Sequence, residues 1–139
     1  MTYQLERHSH FLVIDLHSYN HRRNGPDRKP ADSATNPEIN LGTLYITPAE
    51  YWIELVEIFE STLRSYDLDI KHNVPFEGGH FPQWLNREWP GRVCALTVEV
   101  KKVFMDEWTG LRDNSAFFHI GMALKKATQA AEKKLMNFS

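Results

Sequence analysis

Residues 11–23 read FLVIDLHSYNHRR, an apolar run that ends in Asp15, His17 and Ser18 and then passes into a basic loop. The run from Phe11 to Leu16 is too short for a buried helix, and its Val, Ile and Phe content suits a strand covered on both faces. Open α/β sheets build their sites at the C-terminal ends of such strands, so ionisable groups have been delivered to the place where sites form. A histidine there is a candidate metal ligand or general base, although a lone one more often caps its strand or bonds a loop carbonyl.

A second stretch of the same kind changes the balance. Residues 93–107 read VCALTVEVKKVFMDE, in which Val93, Ala95, Leu96, Val98 and Val100 form a second buried strand interrupted by the carboxylate of Glu99. Burying an ionised carboxylate costs several kcal/mol unless a cation, a metal or strong donors compensate it. Glu99 therefore needs a partner, either a Lys or Arg in a plain ion pair or the components of a site. Ionisable groups at the ends of two strands of one sheet favour the site.

The chain of 139 residues has the length of a single domain, spanning residues 1–139. With 42% hydrophobic and 24% charged residues and a net charge of −2, it has an ordinary globular composition, which argues against disorder and against a nucleic-acid or anionic-membrane partner. His21, Arg22, Arg23, Arg28 and Lys29 lie close together but are interleaved with Asn, Gly, Pro and Asp, as in a loop that is solvated or binds small anions. The single cysteine, Cys94, lies in an apolar strand, so no intrachain disulfide can form and a reducing, cytoplasmic location is expected. Neither a signal core nor a run long enough to span a membrane is present.

A long irregular loop follows over about residues 20–40, carrying Gly25, Pro26, Pro30 and Pro37, and loops of that length are usually functional. Thr47-Pro48-Ala49-Glu50 reads as a capping box with proline at the first helical position, and Trp52, Leu55, Val56, Phe59 and Leu63 supply an apolar stripe. Residues 68–72 are a short candidate strand leading to the turn-forming Gly78-Gly79 and to His80. A helical turn around residues 83–88 presents Trp84, Arg87 and Trp89. A C-terminal helix over about 115–136 is expected to bury Phe117, Ile120, Gly121, Leu124, Ala127, Ala131 and Leu135 and to leave Lys125, Lys126, Lys133 and Lys134 in water. This order predicts an α/β fold, a mostly parallel sheet with flanking helices.

Three separated motifs carry a resemblance: Asp15 through Arg23 (DLHSYNHRR), Asn73 through Phe81 (NVPFEGGHF), and Glu99-Val100-Lys101-Lys102 followed by Phe104 through Gly110 (FMDEWTG). In that order they are similar to the N-formylglutamate amidohydrolase family. His17-Ser18-Tyr19 and Thr97-Val98-Glu99-Val100 also resemble motifs of the zinc carboxypeptidases, whose fold that family shares. The resemblance implies a partial zinc-carboxypeptidase-like (phosphorylase/hydrolase-like) fold. It implies hydrolysis of the amide bond of an N-acyl amino acid, with zinc as cofactor, His17 as the last of three protein ligands, and Glu99 as the carboxylate that shuttles a proton. Asp15, two residues from His17 on the same strand face, would either orient that histidine or merely cap the strand. Arg22, Arg23, His80 and Arg87 are the candidates for holding a substrate carboxylate, or else solvated loop residues.

The chain also departs from the family. Intact members are longer and supply a first histidine and an acidic partner upstream, whereas here only Glu6, His8, His10 and Asp15 precede His17. The N-terminal half of the domain is therefore expected to be missing, with zinc held weakly or not at all, and with a homodimer or that missing half as partner. A non-catalytic, carboxylate-binding or interaction domain derived from the family is the alternative. Substitution of the lost ligands by His8 and His10 requires a reach that their position before the same strand does not favour.

Overall fold

The computed structural model describes residues 8–22 and 24–138. Arg23 and Glu6, both named above, lie outside them. The apolar run becomes β1 (Phe11–Tyr19), followed by β2 (Ile39–Gly42), α1 (Ala49–Arg64), β3 (Ile70–His72), α2 (His80–Glu88), β4 (Val93–Lys101) and α3 (Asn114–Leu135). The strands form one sheet in the order β1-β4-β2-β3. β1 pairs with β4 and β2 with β3 in parallel, while β2 and β4 are antiparallel, so the expected α/β sheet with flanking helices is present and mostly parallel.

Side chains alternate across a strand, and here the two faces differ. Even-numbered positions of β4 (Cys94, Leu96, Val98, Val100) meet Ile39 and Leu41 of β2 and the buried stripes of α1 and α3. Cys94 is fully buried there, and burial pushes its thiol up to about 12, so it is an inert core residue. On the other face Val93 and Ala95 pack with Phe11, Val13, Trp89 and Leu85 of α2. This second layer is short because α2 has nine residues. Beyond it, the odd-numbered positions of β1 and β4 turn polar.

Two expected features differ. Among the described residues no side chain caps α1, and Pro48 stands one residue before it rather than at its first position. The Thr47 carbonyl instead accepts a hydrogen bond from Gly91 N–H at 3.3 Å, so a tertiary contact takes over the local one. On α3, Asp113 caps the helix and Ile120, Ala123, Ala127 and Ala131 are its buried residues, while Phe117 (40% exposed) and Gly121 lie at the surface. Small residues, not the aromatic, face α1 where the helices approach. No helix among the described residues is long and apolar enough to cross a membrane.

α2 is fastened to the sheet by Asn86, which is 1% exposed. Its Nδ2 donates to the Ala95 carbonyl at 2.9 Å and its Oδ1 accepts from Ala95 N–H at 2.8 Å. Since β2 reaches along β4 only as far as Thr97, this carboxamide does for Ala95 what a neighbouring strand's peptide would do. Asn86→Ala should lower stability by about 2 kcal/mol, the scale of a buried donor and acceptor left unpaired, as read from a urea or thermal denaturation midpoint. An unchanged midpoint would show that the clamp contributes nothing.

Candidate active site

The parallel register sets His17 opposite Glu99 and Asp15 opposite Thr97, and the antiparallel register of β2 adds Asn40 opposite Glu99 and Gly42 opposite Thr97. All six lie on the sheet face that α2 leaves uncovered. Asp15 Oδ1 is 3.0 Å from His17 Nε2, with the imidazole 53% exposed and the carboxylate 19% exposed, so the ring faces solvent with the acid beneath it. This is the arrangement in which a carboxylate orients a histidine.

The far end of the same face is closed again. Tyr19 is buried, stacks edge-on against Phe76 at 5.3 Å and donates its hydroxyl to the Pro37 carbonyl, and the buried Lys101 donates its Nζ to the Asn36 carbonyl at 2.7 Å. The ionisable groups therefore lie on the stretch of this face left uncovered between the end of α2 and Tyr19. The Gly78-Gly79 turn borders it. A Cβ on Gly42 would stand 2.8 Å from Gly78 N and 2.9 Å from its Cα, closer than packed atoms tolerate, so Gly42 must be glycine for this backbone approach. Thr97, 2% exposed, has its Oγ1 buried under Gly78 with no hydrogen-bond partner among the described residues.

Other candidates are spread more widely. His80 is the first residue of α2 and exposed, next to Gly79, which borders Asp15. Arg87 lies in the last turn of that helix, roughly 10 Å along it at 1.5 Å per residue, and is ion-paired to Glu88 at 3.1 Å, so the fold does not bring it to Asp15 and His17. Arg22 lies past the end of β1, in a cleft of about 430 Å³ where His21, Lys102 and Arg112 stand beside Asp106, Glu107 and Asp113. The Arg22 backbone N–H donates to the Glu107 carboxylate at 2.5 Å and its guanidinium to the Pro26 carbonyl at 3.0 Å. His21 Nδ1 is buried without a partner among the described residues, and burial, with Lys101 next in weight, lowers the pKa of the ring. His10 accepts a hydrogen bond from or donates one to Tyr51 Oη at 2.8 Å beside the start of β1, at the opposite end of the strand from His17. Sequence reasoning missed Asn40, Gly42, Lys102 and Arg112. The alternation in Ile-Asn-Leu-Gly, apolar on one face and small or polar on the other, was the signal for the first two.

Catalytic zinc takes three protein ligands and keeps a fourth position for water. Among the described residues no three His, Cys, Asp or Glu side chains converge as a metal site, so the set around His17 does not by itself complete one.

Glu99 is half-buried, and burial pushes its carboxyl above the ordinary carboxylate range; His17 pulls the other way and Asp15 adds to the rise. A carboxyl raised in this way favours the folded state most below the unfolded value of about 4.3, and that contribution is lost as pH rises through the folded value. Glu99→Gln should therefore melt at a higher temperature than the parent at pH 7, with the difference shrinking as the pH is lowered towards about 4. A variant no more stable at pH 7 than at pH 4, relative to the parent, would show that the site compensates the charge.

The N-formylglutamate amidohydrolase family model matches residues 1–105. No curated protein matches the chain. Among solved structures it is similar to the N-formylglutamate amidohydrolase from Ralstonia eutropha JMP134, with a TM-score of 0.63 and 19% identity over 95% of this chain and 49% of that one. The chain thus spans about half the length of that protein. A family match over that much of the sequence, together with a shared fold, makes this chain a member of the N-formylglutamate amidohydrolase family.

Proposed function

We propose that this chain carries the acid–base part of an amidohydrolase site that cleaves the amide bond of an N-acyl amino acid. The observation that supports it most is the pairing of His17 with Glu99 across two parallel strands, with Asp15 beneath the imidazole. In such a reaction water adds to the scissile carbonyl, the carbon–nitrogen bond breaks, and the proton lost by water must reach the leaving nitrogen. Glu99 is suited to carry that proton because its raised pKa makes it a better acceptor near neutral pH than an ordinary carboxylate and leaves it able to give the proton back. For the zinc that the family resemblance implies, His17 is the ligand this chain would contribute, and the remaining ligands would come from outside the described residues.

β1 is the edge strand of the sheet, and His17 lies near its C-terminal end. Further strands of the domain would add at that edge and bring their own loops to His17. Leu16 and Phe117, both exposed and lining one open cleft beside that strand, fit such an addition. Recognition of the substrate carboxylate falls to the cleft past β1. There Arg22, Lys102 and Arg112 offer guanidinium and ammonium donors to an anion, beside the carboxylates of Asp106, Glu107 and Asp113 that line the same cleft. His80, at the rim beside Gly79, is the second candidate.

In a preparation with the whole domain, supplied with zinc and an N-formyl amino acid, Glu99→Gln should keep the metal and lower kcat by at least ~10²-fold, the scale of a general acid–base group. His17→Ala should lose metal, as measured by elemental analysis after dialysis. Normal turnover in Glu99→Gln would reduce Glu99 to an ion-pair residue, and anion binding with no amide hydrolysis in the parent would favour a carboxylate-binding domain instead.

A further inference from the structure

The wall against which Asp15 and Thr97 pack is a loop, residues 73–79, and a loop holds a shape only if its backbone groups are paired. Its first residue is anchored independently of the site. Asn73 Oδ1 accepts from Thr43 N–H at 2.8 Å and from Leu44 N–H at 3.1 Å, and Asn73 N–H donates to the Leu41 carbonyl at 2.9 Å. These bonds fix where the loop leaves β3. They do not reach the two glycines.

The next hold is Asn40. It is fully buried on β2, on the face it shares with Glu99, and its carboxamide spans the loop: Oδ1 accepts from Val74 N–H at 2.6 Å, and Nδ2 donates to the Phe76 carbonyl at 2.8 Å. One planar group thus satisfies a donor and an acceptor two residues apart. From Phe76 the chain needs only Glu77 to reach Gly78 and Gly79. There the backbone borders the site: a Cβ on Gly78 would be 3.5 Å from Thr97 Oγ1, and one on Gly79 4.0 Å from Asp15 Oδ2, ordinary contact distances. Gly78 takes a φ of +120°, a conformation that glycine adopts readily but does not impose, so something outside the glycines must select it.

We infer that Asn40 is a positioning residue of the candidate site: its carboxamide holds residues 74–79 in place, and the Gly78-Gly79 backbone so held keeps the Asp15 carboxylate turned towards His17. The inference rests on the placement of the site at Asp15, His17 and Glu99 and needs neither zinc nor turnover. Glycines 78 and 79 have no side chain with which to hold themselves, and Thr97 offers only a hydroxyl without a partner. The carboxamide is also the neutral choice beside Glu99, since an aspartate of the same shape would lose the donor to Phe76 and set a second carboxylate opposite the first.

The test uses the chain alone and two readouts that a general loss of stability would not move together. In Asn40→Ala, amide hydrogen exchange at Val74, Gly78 and Gly79 should quicken at least ~10-fold relative to the amides of α1 and α3, which report opening of the core. In the same variant the ring ¹⁵N pattern of His17, measured at a pH where the imidazole is neutral, should lose the signature of an Nε2–H bonded to a carboxylate. Asn40→Asp, which keeps the shape and the acceptor for Val74 but loses the donor to Phe76, serves where the alanine variant fails to fold and should show faster exchange at Gly78 and Gly79 and the changed His17 pattern at neutral pH, with Val74 still protected. Exchange at 74–79 that rises only in step with α1 and α3, or a His17 pattern identical to the parent, would overturn the inference. Because neither readout depends on hydrolysis, failure here is separable from failure of the proposed activity.

Discussion

The parallel ladder between β1 and β4 is the constraint on which the rest of the molecule depends. Pairing Phe11 with Val93 at one end forces Asp15 onto Thr97, His17 onto Glu99 and Tyr19 onto Lys101 at the other. Parallel strands run out at the same edge of the sheet, so the polar ends of the two segments arrive together; antiparallel pairing would have set the ionisable end of one against the apolar start of the other. β2 joins from the other side in antiparallel sense and still contributes to the same face, because Asn40 and Gly42 share the strand's two-residue period with Glu99 and Thr97.

One sheet face carries two environments because its cover is short. Under α2 it is apolar, with Val13 and Ala95 packed against Leu85; one strand period further on it carries Asp15 and Thr97, and one more brings His17 and Glu99. Asn86 fixes where the cover ends by fastening α2 at Ala95. Had the helix extended over Glu99, the carboxylate would have been fully desolvated at a cost of several kcal/mol. Left half-covered, it remains ionisable with a raised pKa, which suits proton transfer better than a fully solvated or fully buried carboxyl would.

Elements with a strong period were legible in the sequence. β1, β4 and α1 follow from strong apolar patterns, and α3 from its length and spacing. β2 was read as the tail of a loop. Two of its four residues, Asn40 and Gly42, disfavour strands when taken alone, and only their burial against the 73–79 loop gives them a reason to be there. On α3 the apolar stripe was assigned one aromatic too many: Phe117 lies beside Phe104 and under the Arg112 guanidinium, while alanines make the close approach to α1. Arg22 and Arg87 qualified by residue type, but type does not carry position, and the fold sends them to opposite ends of the sheet face.

The sequence by itself determined which groups exist and which face of which strand bears them, because the two-residue alternation of a strand and the apolar stripe of a helix are local properties of the chain. Asp15 and His17 had to share a face, as did Thr97 and Glu99, whatever the rest did. Tertiary structure alone decided that these two pairs meet, that Asn40 and Gly42 stand beside them, and that a glycine turn closes against Asp15. Those relations depend on strand order, register and the close packing of backbone on backbone, which are set by the burial of the common core on the opposite face of the sheet and not by any residue's neighbours in sequence.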